Sequence, residues 1–118
     1  MKRDKIFEYA KKQYGTIPEY LWKASPNSAV LRHTNGKWYA IVMRVEKFRL
    51  GLEEDGFVDI LNVKCNADMI GVLTQTSGFL PAYHMNKKYW ITILLDGSVS
   101  KSIILDFLDM SYKLISSR

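Results

Sequence analysis

The residues best suited to chemistry crowd into one stretch, where Tyr83, His84, Asn86, Lys87 and Lys88 run on into Tyr89 and Trp90. Flat rings stack on other rings and ammonium groups pair with phosphate, so this mixture suits a polyanion or an aromatic ligand. Apolar, β-prone runs flank the polar residues, and the spacing predicts a hairpin over 79–95 with a basic tip. A second group gathers around Asn35-Gly36, with Arg32, Lys37 and Tyr39 close by. A catalytic centre is harder to assemble. His33, His84 and Cys65 are the only imidazoles and thiol, and none stands in a nucleophile or metal-ligand spacing. Gly71 and Gly78 are isolated, and Gly51 leads into Leu52 rather than into a phosphate-binding loop. The inventory therefore points to binding without catalysis, metal or cofactor.

The elements that must position these residues can be read in order. A helix is expected over 5–14, with Asp4 as its cap and Ile6, Phe7, Ala10 and Tyr14 on one face. Gly15 stops it, and Glu19 to Trp22 reads as a short strand after Pro18. Asn35-Gly36 is the strongest turn signal, because a two-residue turn with positive φ at both positions favours that dipeptide. It predicts pairing of 29–34 with 37–45, setting Thr34 opposite Lys37, His33 opposite Trp38, Arg32 opposite Tyr39 and Leu31 opposite Ala40. Residues 46–56 read as a polar loop, and 57–65 as a strand. Asn66 can cap a helix over 67–76, and Ser100 another over 101–116, whose Ile104, Phe107, Leu108, Ser111, Leu114 and Ile115 form one stripe.

The order is α, three or four strands, α, two strands, α, with few long crossovers. That predicts an α+β protein: a two-layer α/β sandwich with a mainly antiparallel sheet and helices on one face. At 118 residues, 47% of them hydrophobic, the chain suffices for a single domain with one core, and a monomer is expected.

Charge is unevenly spread. Residues 1–50 hold eleven Lys or Arg against four Asp or Glu, a balance of +7, whereas 51–118 hold six against eight, a balance of −2. The basic half is a candidate for meeting an anionic partner. A lone cysteine excludes an intrachain disulfide, and neither a secretory leader nor an apolar run of membrane-spanning length is present, so a cytoplasmic protein without a membrane partner is expected.

Several segments together carry a resemblance: Asn35-Gly36-Lys37-Trp38-Tyr39-Ala40, Asn62-Val63-Lys64-Cys65, the run from Pro81 to Trp90, and Asp96-Gly97-Ser98-Val99 with Ser111-Tyr112. They resemble the MmcQ/YjbR family over nearly the whole chain, although Tyr89 stands where many members carry a histidine. The resemblance implies the order αβ(3)αβ(2)α, a fold similar to CyaY and to secretion chaperones, and a suggested DNA-binding role through paired hairpins. It marks Lys37, Lys64, Tyr83, His84, Asn86, Lys87, Lys88 and Trp90. On general grounds Trp38 and Trp90 are expected in the core, Asn86 can hold positive φ in its turn, and the lysines can serve solubility alone.

Two classes of function follow. In the first, Arg32, Lys37, Lys87 and Lys88 meet the phosphates of DNA or RNA while Tyr39 or Tyr83 packs on sugar or base, with Lys64, His84 and Asn86 among the binding residues that the resemblance implies. In the second, the open sheet face receives a protein chain or a small ligand. The discriminating feature is whether the cations converge on one face.

Overall fold

The structure, a computed structural model, describes residues 1–116. Helix α1 (Arg3–Tyr14) begins two residues before the expected start, after Lys2, so Asp4 lies inside the first turn, where its charge favours the helix dipole, rather than at the cap. Five strands follow: β1 (Ala29–Arg32), β2 (Trp38–Glu46), β3 (Phe57–Lys64), β4 (Phe79–Pro81) and β5 (Trp90–Leu94). They form one antiparallel sheet in the order β1-β2-β3-β5-β4. A short helical stretch, Ala67–Met69 running into helix α2 (Ile70–Leu73), falls short of the expected 67–76. Helix α3 (Lys101–Ser116) has the expected bounds.

Alternation along the strands decides the layers. Leu31, Val42, Leu61, Val63, Ile91 and Ile93 face the helices, and with Ile6, Ala10, Ile104 and Leu108 they form the larger core cluster. Each such aliphatic side chain contributes about 1.5 to 3 kcal/mol by leaving water. The α3 stripe is as expected at Ile104, Leu108, Ser111 and Ile115, all buried. Ser111 is the polar member because its hydroxyl donates to the Tyr39 carbonyl at 2.6 Å and accepts the Lys64 N–H at 2.9 Å, tying α3 to two strands. No described helix is long and apolar enough to cross a membrane.

Both hairpins form, but the first closes differently from its sequence signal. The His33 N–H donates to the Lys37 carbonyl at 2.7 Å and the Gly36 N–H to the His33 carbonyl at 2.8 Å, enclosing three residues instead of two. Only Gly36 takes positive φ, at 90°. Asn35 does not, because its side chain accepts the Lys37 N–H at 3.0 Å and donates to the Ile115 carbonyl at 3.2 Å, closing the last turn of α3. A three-residue turn carries a bulge. Leu31 therefore faces Ala40 as expected, but Arg32 faces Trp38 and not Tyr39. Tyr39, displaced by the bulge, turns fully into the core, with its hydroxyl donating to Thr16 Oγ1 at 2.7 Å.

Two smaller expectations are also corrected. Glu19 to Trp22 is not a strand; one bridge joins Glu19 to Val30, and Ile17, Tyr20, Leu21 and Trp22 are exposed. The 46–56 loop contains a turn of 3₁₀ helix, Lys47–Leu50.

Gly78 is the tightest backbone position. It holds φ 89°, and a Cβ there would overlap Val99 Cγ2 and lie 2.7 Å from Ser98 Oγ, whereas a Cβ at Gly36 meets nothing within 4 Å. Gly78→Ala should cost about 2 to 4 kcal/mol, from strained φ and overpacking together, and Gly36→Ala about 1 kcal/mol from φ alone. Urea unfolding of both variants checks this; equal losses would contradict the close approach of Gly78 to Val99.

A candidate binding cleft on the open sheet face

Because every neighbouring pair of strands is antiparallel, β1, β3 and β4 end where β2 and β5 begin. That end carries the 33–37 turn, Lys64 and the 82–89 connection, so the two groups of candidate residues, far apart in sequence, share one end of the sheet. Alternation sends Ile41 and Met43 to the face away from the helices, and the bulge at Tyr39 puts Trp38 there with them. Lys64 opposes Trp90 on that same face, as Arg32 opposes Trp38. From β1 to β5 this end therefore reads cation, indole, cation, indole.

The 82–89 connection does not project as a free wing. It folds over the open face and is held there by two polar side chains buried in mid-sheet, Asn62 and Thr92. Thr92 Oγ1 donates to Asn62 Oδ1 and accepts the Tyr83 N–H at 2.9 Å, while Asn62 Nδ2 donates to the Tyr83 carbonyl at 3.0 Å. Both backbone polar groups of Tyr83 are thereby satisfied by the sheet. The next residue, His84, takes φ 58°, the one non-glycine positive φ among the described residues, a role expected of Asn86. Asn86 instead accepts the Lys88 N–H on its side chain at 2.8 Å.

Between this loop and residues 22–28 lies a cleft of about 440 Å³, within the range of about 300 to 1,000 Å³ usual for ligand sites. Trp38, Ile41 and Met43 form its floor. Tyr83, His84 and Met85 make one wall, and Trp22, Ser25 and Ser28 the other. The indoles of Trp22 and Trp38 meet edge to face, 5.8 Å apart at 87°, while Tyr83 and His84 meet at 4.1 Å. Among the described residues no carboxylate lines it. Trp38 and Trp90, expected in the core, are half-buried on this face instead, because the helices already fill the other.

The expected contact residues divide. Tyr39 is excluded, since it is fully buried and burial pushes its hydroxyl up to about 12. Arg32 is committed: its guanidinium grips Glu19 at 3.0 and 3.1 Å and donates to the Gly36 carbonyl at 3.0 Å. That hydrogen bonding holds the Glu19 carboxyl below its usual range. Lys87 donates to the Ala82 carbonyl at 2.8 Å, so it closes its own loop. Lys37, half-buried Lys64 and Lys88 remain available, the last with its ammonium 5.5 Å from the Tyr89 ring. Tyr83 and His84 line the cleft, and Asn86 shapes the loop. Cys65 is buried on the helix side and burial raises its thiol pKa, which makes it a poor nucleophile at neutral pH.

Trp22, Met43 and Met85 were not legible as site residues. Asn62 and Thr92 offered a signal, as lone polar positions within the apolar runs Ile60-Leu61-Asn62-Val63 and Ile91-Thr92-Ile93.

The comparisons with known proteins agree on the fold. A model of the YjbR family matches residues 11–114. The uncharacterised protein YyaQ of Bacillus subtilis is 41% identical over 115 residues, covering 97% of this chain and 98% of its own length. YjbR of Escherichia coli is 28% identical over 100 residues, covering 83% and 85%. A crystal structure of a protein from Pseudomonas syringae superposes with a TM-score of 0.94 at 38% identity, covering 97% of this chain and 98% of that one.

Thr92→Val keeps the shape of the side chain but strands the Tyr83 N–H and Asn62 Oδ1. It should lower stability by about 1 to 3 kcal/mol, the penalty for an unpaired buried polar group. Amide exchange should accelerate at Tyr83 and His84 more than in β3. Unchanged exchange in this loop would show that something else holds it.

Proposed function

The chain belongs to the YjbR family, and from its cleft we propose a non-catalytic binding module that takes nucleic acid at the loop-bearing end of the sheet, single strands in preference to duplex. The carrying observation is the coincidence at that end of an aromatic, carboxylate-free cleft with Lys37, Lys64 and Lys88. Base stacking on aromatic side chains tolerates any sequence, and phosphate contacts position the strand without reading it. A duplex is a poorer fit. Its phosphates would call on Arg32 and Lys87, which are engaged within the protein, and its paired bases cannot enter a cleft.

A second reading has its own support. Ile41, Met43 and Met85 make much of the lining apolar, and such a surface suits a small ligand or the side chain of a protein partner. The likeness to CyaY and secretion chaperones implied by the sequence favours this reading by fold analogy only.

Titration of short single-stranded DNA, RNA and duplex at several salt concentrations separates them. Three phosphate contacts on a single strand give a log-log salt slope near −2, from about −0.7 per contact. Lys37→Ala, Lys64→Ala and Lys88→Ala should each flatten that slope by about 0.7 and weaken binding alike on every sequence. Dissociation constants weaker than about 1 mM at low salt for all three nucleic acids would remove the first reading, since non-specific binders reach about 10⁻⁴ M. The small-ligand and protein reading would then lead.

A further inference from the structure

The shape of the cleft goes beyond the presence of aromatic rings in it. An open stacking platform is flat, so that successive bases lie on it side by side. Here the two indoles stand at 87° to one another and make a corner, and Tyr83 with His84 closes the opposite side. A ring resting on the face of one indole turns its own edge to the face of the other. That corner, in a cleft of about 440 Å³, receives a planar group with Tyr83 and His84 across from it. The polar groups at the cleft are hydroxyls and an imidazole, Ser25, Ser28 and His84, which match the donors and acceptors on the edge of a base. Ser28 is buried and its hydroxyl lies 2.6 Å from that of Ser25, so the pair is fixed in place.

We propose that this cleft is a receptor for one nucleobase drawn out of its stack, with the flanking phosphates on Lys64 and Lys88. The proposal rests on the nucleic-acid reading above and narrows it from a surface that tracks a strand to a pocket that holds a single ring. Charge complementarity supports the choice of occupant. Among the described residues the lining has no Asp or Glu, and the lysines stand on the same end of the sheet. The fixed corner also accounts for the loop anchor, because a wall carrying Tyr83 and His84 must keep its distance from Trp38 for a ring to enter.

The test is a double-mutant cycle in which one mutation is made in the ligand. Binding of a short strand that carries a single thymine among otherwise abasic positions is compared with that of the fully abasic strand, for the wild-type chain and for Trp22→Ala. Trp22 is 39% exposed, so its removal should leave the fold intact, which circular dichroism and urea unfolding confirm independently. Loss of the base should weaken wild-type binding by about 5- to 150-fold, the range for one stacked base. Trp22→Ala should weaken binding of the single-thymine strand comparably, and the fully abasic strand should bind both proteins alike. Tyr83→Leu gives the same pattern from the opposite wall. Equal binding of the single-thymine and fully abasic strands by the wild-type chain would leave the nucleic-acid reading standing and overturn the pocket, as would losses from Trp22→Ala and from removal of the thymine that simply add. Failure of every strand to bind would remove both.

Discussion

Everything on the open face depends on the hydrogen bonds among Asn62, Thr92 and the Tyr83 backbone. An amide and a hydroxyl in the middle of a sheet are costly to bury, at about 1 to 3 kcal/mol for each group left unpaired. Here they are fully buried and fully used, because they bond to each other and to the backbone of the loop that covers them. The requirement is mutual: the strands need the loop to satisfy their side chains, and the loop needs them to satisfy Tyr83. This reciprocity converts an eight-residue connection, 82–89, from a mobile excursion into a wall. It also explains the left-handed conformation at His84, which the chain adopts as it leaves two fixed backbone bonds.

A second constraint acts through the other face. Helix α3 presses Ser111 between Tyr39 and Lys64 and takes a cap for its last turn from Asn35. Asn35 is therefore held in place by a bond to a residue 80 positions away, the turn widens to three residues, and the resulting bulge sends Tyr39 inward while leaving Trp38 outward. The core gains a buried aromatic ring and the cleft keeps its floor. Packing on the helix side thus selects which aromatic residue faces solvent on the other.

These couplings mark the boundary of what the sequence discloses. Element order, sheet direction and the α3 stripe follow from period and turn composition, which act within a few residues. The convergence of 33–37 with 82–89 follows as soon as the sheet is known to be antiparallel. The two-residue turn at Asn35-Gly36 does not survive, because a local preference was overridden by a bond to the end of the chain's last helix. Tyr39 could not be told from Trp38 without the bulge, since a shift of one residue exchanges the faces of the sheet. Arg32 looked available because its partner, Glu19, lies thirteen residues earlier in a segment whose pairing with β1 periodicity does not disclose. Lys87 looked available for the simpler reason that sequence does not show a side chain curling back on its own loop.

The central claim is that the ligand meets the open face at the loop-bearing end and nowhere else. The most direct test is to follow amide and indole N–H resonances of the labelled chain while a short single-stranded oligonucleotide is added. The account predicts shifts at the Trp22 and Trp38 indoles, at the Ser25 and Ser28 amides and along 83–88, with the outer surfaces of α1 and α3 silent. Shifts centred on those helices, with the two indoles unmoved, would contradict it.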